Sequence, residues 1–333
     1  MNLGEKDSAR SDVYGFMSYV KTIWAKLGTY EAVKPLIALI GLFIGSAILS
    51  PHFLSIYNQR ILLLQAAPLA MIALGESMII LMGSIDLSPG STMALAGTVA
   101  AIVHVVYGYP LGVAILAGLA TGALVGFING LLVTKAKIPS FVATLAALVA
   151  GRGMVLILTE GQPIVGLTEF RVFTRDIVGL PLMVWIFILF TVFNFFVLRK
   201  TSLGIMVYAI GGNEEAARYS GINADIVKLS IFTLAGLYYA IAGLMMNARL
   251  EVAYPWTGWG YELDAIASSV LGGIQLTGGV GSPIGPAMGA YILTLITNVL
   301  ILLGVSPYYQ WVVKGVILAI AATALTRGLR YVK

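Results

Sequence analysis

Six polar or charged side chains interrupt the long apolar runs of this 333-residue chain: Glu76, Arg152, Asn194, Gln275, Asn298 and Lys314. Each would be costly facing lipid, so each must face protein or a water-filled cavity. Pairing within the bundle suits Arg152 and Lys314. Glu76, Gln275 and Asn298 suit a hydrophilic path: they offer hydrogen bonds without a ring of one charge sign, as a neutral polyhydroxylated solute would need. Two further acids head segments rich in small residues. Asp86 lies in GSIDLSPGSTMALAG (Gly83–Gly97) and Asp264 in GYELDAIASSVLGG (Gly260–Gly273). Seven glycines then fall within the eighteen residues Gly272–Gly289. Each aspartate either caps the helix that follows or adds a polar group to the same path. Small residues let helix backbones approach closely, and Gly or Pro breaks are common where a path crosses the membrane.

A second cluster is polar for a different reason. Leu198–Lys228, LRKTSLGIMVYAIGGNEEAARYSGINADIVK, lies between two apolar stretches and reads as a loop facing water. Within it Asn213–Gly221 reads as a short helix. Glu214 and Glu215 favour a first turn, Ala216 and Ala217 propagate it, and Gly221 ends it. A short helix between spanning segments is what a membrane subunit needs if a separate ATP-splitting protein is to push on it. The plainer alternative is a solvated linker with a helical turn.

The elements that position these residues are transmembrane helices. Hydrophobic residues make up 59% of the chain and charged ones 11%, where a soluble domain carries about 25% charged. The apolar residues come in blocks of about twenty, the length that crosses a bilayer core. We place about ten spans, at Val33–Leu49, Ile61–Gly83, Gly90–Val106, Leu111–Val133, Phe141–Leu158, Val178–Leu198, Leu229–Met246, Glu262–Leu276, Ile284–Leu303 and Tyr309–Leu325. With both termini cytoplasmic, fourteen basic residues lie inside and four outside, as the positive-inside rule requires. The expected fold is an all-α polytopic bundle. The Asp86 and Asp264 segments fall on opposite faces, consistent with an inverted repeat of spans two to five on seven to ten. Residues 1–32 form a cytoplasmic tail whose Val13, Phe16, Met17, Val20, Ile23, Trp24 and Leu27 recur at helical spacing, an amphipathic helix for the inner membrane surface. Residues 33–333 form a single transmembrane domain, with the polar loop at 199–228.

Several chemistries are excluded or disfavoured. There is no cysteine, hence no disulfide, thiolate nucleophile or Cys-based zinc site. No GxxxxGK[ST] phosphate loop occurs, so the chain does not bind ATP by that route. His52 and His104 fall near outer ends of spans, away from where an intramembrane protease would need a histidine. An ion-coupled secondary transporter would usually carry membrane-embedded carboxylates, and Glu76 is the mid-span candidate.

Four motifs, Gly83–Gly97, Ile138–Pro163 (IPSFVATLAALVAGRGMVLILTEGQP), Thr201–Gly221 (TSLGIMVYAIGGNEEAARYSG) and Tyr261–Gly289 (YELDAIASSVLGGIQLTGGVGSPIGPAMG), carry a family resemblance. Gly304–Gly315 (GVSPYYQWVVKG) adds to it. From Asn58 onward the chain resembles the permease subunits of bacterial ABC importers for monosaccharides, of the ribose, galactose and xylose type. Ser84 stands where a second glycine is common, and Pro89 where a small apolar residue is usual. The resemblance implies a non-enzymatic subunit of the inner membrane, working as a pair of identical or related permeases. It implies a periplasmic or extracellular sugar-binding protein outside and a tandem ATPase inside, which holds ATP and Mg while this chain holds no cofactor. By the same resemblance Gly211–Gly221 is the coupling helix, with Gly212, Asn213, Glu214, Ala216, Ala217 and Gly221 as contact positions. Related permeases carry nucleosides, a signalling sugar or branched-chain amino acids, so the cargo stays open here.

Overall fold

The computed structural model describes residues 32–328, with side chains described as far as 317 and at 319. The amphipathic helix expected within residues 1–32 therefore lies outside the described residues. Twelve helices follow in order: α1 Val33–Leu49, α2 Ile56–Leu81, α3 Pro89–Ala101, α4 Leu111–Thr134, α5 Ser140–Thr159, α6 Leu182–Lys200, α7 Ser202–Gly212, α8 Glu214–Tyr219, α9 Ala224–Leu250, α10 Tyr261–Leu271, α11 Gly285–Leu302 and α12 Pro307–Gly328. A π-turn, Ile102–Val106, continues α3. Among the described residues seven helices are long and apolar enough to cross a membrane, α3 with its π-turn among them.

Helix α2 is the axis of the bundle. Every residue from Ala66 to Leu81 is buried, the signature of a helix that is apolar all round and enclosed by neighbours. Helix α9 packs beside it, with Tyr238 and Tyr239 against Gly75 of α2, and Phe232, Tyr238 and Tyr239 are all buried in the core. Close approach elsewhere relies on glycine. Gly118, Gly122, Gly126 and Gly130 recur every fourth residue along α4 and face α3 and α9. A Cβ at Gly122 would stand 2.3 Å from the Gly236 carbonyl oxygen, and one at Gly126 2.2 Å from that of Phe232. This is the small-residue packing that membrane helices use in place of a hydrophobic driving force. Helices α4, α5 and α6 present Leu116, Leu124, Phe141, Ile157, Leu189 and Val192 outward, an apolar surface matched to lipid.

Two segments enter the bundle without regular structure, one from each end. Residues 82–88 leave α2 and turn back inside, where the Ile85 N–H donates to Ser140 Oγ and the Leu87 N–H to Thr144 Oγ1 of α5. Residues 251–260 leave α9 at the other end. Their first residues, β4 (Val252–Ala253), pair antiparallel with β1 (Ile164–Val165). A second two-residue ladder joins β2 (Asp176–Ile177) to β3 (Leu180–Pro181). Irregular backbone at membrane depth is tolerated where protein satisfies its polar groups; Ser140 and Thr144 bond the backbone of the first segment and Arg152 that of the second.

The eighth expected span, Glu262–Leu276, is helical only as α10. Its 11 residues cover roughly 16 Å at 1.5 Å per residue, about half the ~30 Å of hydrocarbon. Gly272 and Gly273 end it, and a glycine-rich loop carries the chain on to α11.

Candidate functional site

The short helix expected at Asn213–Gly221 is present as α8, defined at both ends by local chemistry. Asn213 is extended (φ −162°, ψ 103°) and its Oδ1 accepts from the Ala216 N–H at 2.9 Å. Glu214 and Glu215 then sit in the first turn, where the helix dipole favours negative charge. At the far end Gly221 takes φ +87°. Its N–H donates to the Arg218 carbonyl and the Ile222 N–H to that of Ala217, the paired bonds of a Schellman stop. In place of the first part of the expected water-facing loop, an apolar eleven-residue helix, α7 (Ser202–Gly212), precedes α8 with Val207 and Ile210 buried; it is too short to stand out as a span.

Among the expected contact positions, α8 points some inward and some outward. Ala217 is 5% exposed and belongs to the core. Glu214 faces the bundle, bridging Arg218 at 2.8 Å and Lys228 at 2.6 Å. Arg218 also pairs with Asp225, which pairs with Lys137 at 2.9 Å. Partial burial works against ionisation of Glu214, but hydrogen bonds from Lys228 and Arg218 outweigh it and hold the carboxyl below its ordinary value. Gly212, Asn213, Ala216 and Gly221 are exposed, together with Glu215 and Tyr219. Tyr219, at 85% exposure, is the large side chain a partner would meet first.

Beneath α8 three stretches of backbone touch. The Gly279 N–H donates to the Leu81 carbonyl at 2.9 Å. A Cβ on Gly211 would stand 1.8 Å from that same oxygen, and one on Gly278 2.7 Å from the Gly83 nitrogen. Gly83, Gly278 and Gly279 all have positive φ. The end of α7, the turn that leads toward α3 and the loop that follows α10 therefore meet with no side chain between them. A polar cavity of about 310 Å³ beside this junction is bordered by Ser84, Lys137, Ser140, Glu214 and Lys228.

The residues expected along a path are spread through the bundle. Glu76 and Asp86 are both buried. The Asp86 N–H donates to Glu76 Oε1 at 3.2 Å, and Tyr239 Oη donates to Glu76 Oε2 at 3.1 Å. Asp86 Oδ1 accepts from the N–H of Ser88, the residue just before α3, so it supports the approach to the helix start. Gln275 is part-buried in the loop on the α8 side, its N–H bonded to Val280. Asn298 lies near the other end, where its amide and that of Asn58 exchange hydrogen bonds at 2.9 and 3.1 Å. Asp264 is held by Lys314 at 2.8 Å.

The Asp264–Lys314 pair separates two adjoining cavities at the end opposite α8. The front one, about 270 Å³, is walled by Trp259, Tyr261, Gln310 and Trp311. The rear one, about 210 Å³, adds Gln65, Arg249, Thr294 and Thr297. Above them Arg152 anchors the re-entrant segment: Nη1 donates to the Pro255 and Thr257 carbonyls at 2.7 and 3.0 Å, with Trp259 5.9 Å from the guanidinium. Trp259, Gln310, Trp311 and Arg249 were not among the expected site residues. Their signal was faint because aromatic and amide residues near helix ends are also ordinary membrane-interface anchors.

An all-α bundle, re-entrant segments that meet inside it and a capped surface helix define a polytopic membrane transport subunit. The chain belongs to the family described as branched-chain amino acid transport system / permease component, whose model matches residues 60–322. It is 42% identical over 298 residues to the ribose import permease protein RbsC of Escherichia coli K12, covering 86% of this chain and 91% of that one. Identity to RbsC of Bacillus subtilis strain 168 is 44% over 298 residues, covering 88% and 92%. The xylose transport system permease protein XylH of Haemophilus influenzae is 36% identical over 332 residues, covering 81% and 88%. No solved structure matches the chain.

Proposed function

We propose that this chain is the membrane-spanning subunit of an ATP-driven monosaccharide importer in the bacterial inner membrane. It crosses about ten times with both ends in the cytoplasm and works as one of a pair. A binding protein delivers sugar at the face opposite α8, and an ATPase, which carries the ATP and Mg, docks on α8. Relatives named as ribose and xylose permeases support a pentose-sized cargo.

The glycine junction beneath α8 carries the mechanism. Packed backbones are not continuously deformable, so a push on α8 must pass to its neighbours or break the contact. Those neighbours are the turn at Gly83, which leads into α3, and the Gly278–Gly279 loop, which follows α10. Movement of a docked ATPase thus reaches both re-entrant regions at once. They enter from opposite ends and meet at Gly90 and Gly258, an arrangement that favours an inverted repeat and alternating access between the two faces.

Single-cysteine labelling tests this directly, because the chain contains no cysteine. Tyr219→Cys should react with a membrane-impermeant maleimide only from the cytoplasmic side, and the partner ATPase should protect it. Labelling from the exterior, or no protection, would overturn the assignment.

A further inference from the structure

We infer that the front cavity, floored by the Asp264–Lys314 pair and flanked by Trp259, Tyr261 and Trp311, is a subsite for one neutral monosaccharide. The inference rests on the transport reading above and locates a resting place for solute within a single chain. Its 270 Å³ lies just below the range of drug-sized pockets, which leaves room for one small solute.

The lining supplies the two halves of sugar chemistry. Aromatic rings offer flat apolar faces, which suit the C–H face of a pyranose or furanose ring. Lying against the α10 N-terminus, the Trp311 ring comes within 2.9 Å of where a Cβ on Gly260 would stand; a side chain there would push the indole away. Opposite the rings, the Asp264 carboxylate can accept from two adjacent hydroxyls, and Lys314 and Gln310 can donate to ring or hydroxyl oxygens. The Asp264 and Lys314 side chains remain 17% and 32% exposed, so hydroxyl groups can reach both. Their opposite charges cancel over 2.8 Å, so the floor offers strong hydrogen-bonding groups without net charge. A charged solute would compete with the pair; a polyol completes its solvation. The cavity lies toward the end opposite α8, where the transport reading places delivery.

The test uses the complete transporter, reconstituted in lipid nanodiscs and vesicles. Saturation-transfer NMR is recorded with D-ribose, D-xylose and L-leucine, alongside ATP-driven uptake of the same solutes. Transfer to at least one pentose is expected, but not to leucine. Trp311→Ala and the double variant Asp264→Asn/Lys314→Gln should each weaken it about tenfold, the usual effect of losing a charge-assisted hydrogen bond or equivalent contact. Trp311→Phe, which keeps a ring, should retain most of it, and Leu116→Ala, on the lipid-facing side of α4, all of it. Uptake in Trp311→Ala should fall in parallel while the protein stays monodisperse. The subsite is overturned if pentose transfer is absent, if it survives both variants unchanged, or if Trp311 reports lipid acyl chains or a second copy of the chain in its place. If the wild type moves no sugar at the expense of ATP, the transport reading fails instead.

Discussion

Gly90 and Gly258 cross back to back inside the bundle. A Cβ on Gly90 would stand 2.2 Å from the Gly258 carbonyl oxygen, and one on Gly258 2.6 Å from that of Gly90. The crossing joins the start of α3 to the segment before α10, and the Glu262 carboxylate completes it, 2.6 Å from the Gly90 Cβ position. Gly258 also holds φ +76°, which a side chain would strain. Gly90→Ala and Gly258→Ala should each destabilise the protein by about 1–3 kcal/mol through overpacking, with Gly258→Ala the worse. Thermal unfolding in detergent measures this; a midpoint equal to wild type for either variant would contradict the close crossing.

Arg152 holds the same segment from the α5 side. Its two bonds to backbone carbonyls are charge-assisted, and deleting such a bond costs about 1.5–3 kcal/mol. Arg152→Leu should therefore loosen residues 254–260, seen as faster hydrogen exchange there with little change in α9. Arg152→Lys keeps a charged donor but lacks the planar head that aims Nη1 at both carbonyls, so exchange should be intermediate. Unchanged protection in Arg152→Leu would mean that the segment is held by something else.

The Asn58–Asn298 amide pair predicts a thermodynamic cycle. Asn298→Leu leaves the Asn58 amide short of a buried partner and should cost about 1–3 kcal/mol. Asn58→Leu/Asn298→Leu removes both and should recover part of that loss. If the double variant is as unstable as the sum of the singles, the pair is not coupled.

Glu214 supplies a pH dependence. Its folded-state value lies below the ordinary 4.5, so its interactions stabilise α8 at neutral pH and are lost as pH falls through that depressed value. The difference in unfolding midpoint between wild type and Glu214→Gln should be constant from pH 7 to about 6. It should shrink below the usual carboxylate range. A difference that grows with acid would reverse the sign and refute the pairing.

Much of this architecture was legible in the residues, because hydrocarbon punishes polar atoms so severely that long helices show as apolar blocks. α8 was legible for a local reason: two glutamates open it, two alanines carry it on and a glycine ends it. The segments at Gly83 and Gly260 stood out as small-residue interruptions. What stayed hidden depends on long-range contact. Glu214 and Ala217 look alike as candidate contact residues, yet the ion pairs to Lys228 and Arg218 turn the first inward and core packing buries the second. Asn298 looks like a path residue until Asn58, 240 positions away, is found beside it. Helix α10 looks like a full-length span, but it is helical for only 11 residues, and the irregular stretch before it makes up the rest of the passage.

The central claim is that force enters through the outward surface of α8 and solute movement follows. The most direct measurement is pentose uptake into vesicles holding this chain with its ATPase and binding protein, comparing wild type with Ala216→Arg/Tyr219→Asp. Both substituted side chains are exposed, so the variant should fold and insert normally. ATP-driven uptake should drop to background in the variant and, in the wild type, survive an uncoupler that collapses ion gradients. Full uptake in the variant, or wild-type uptake that needs the gradient and not ATP, would contradict the account.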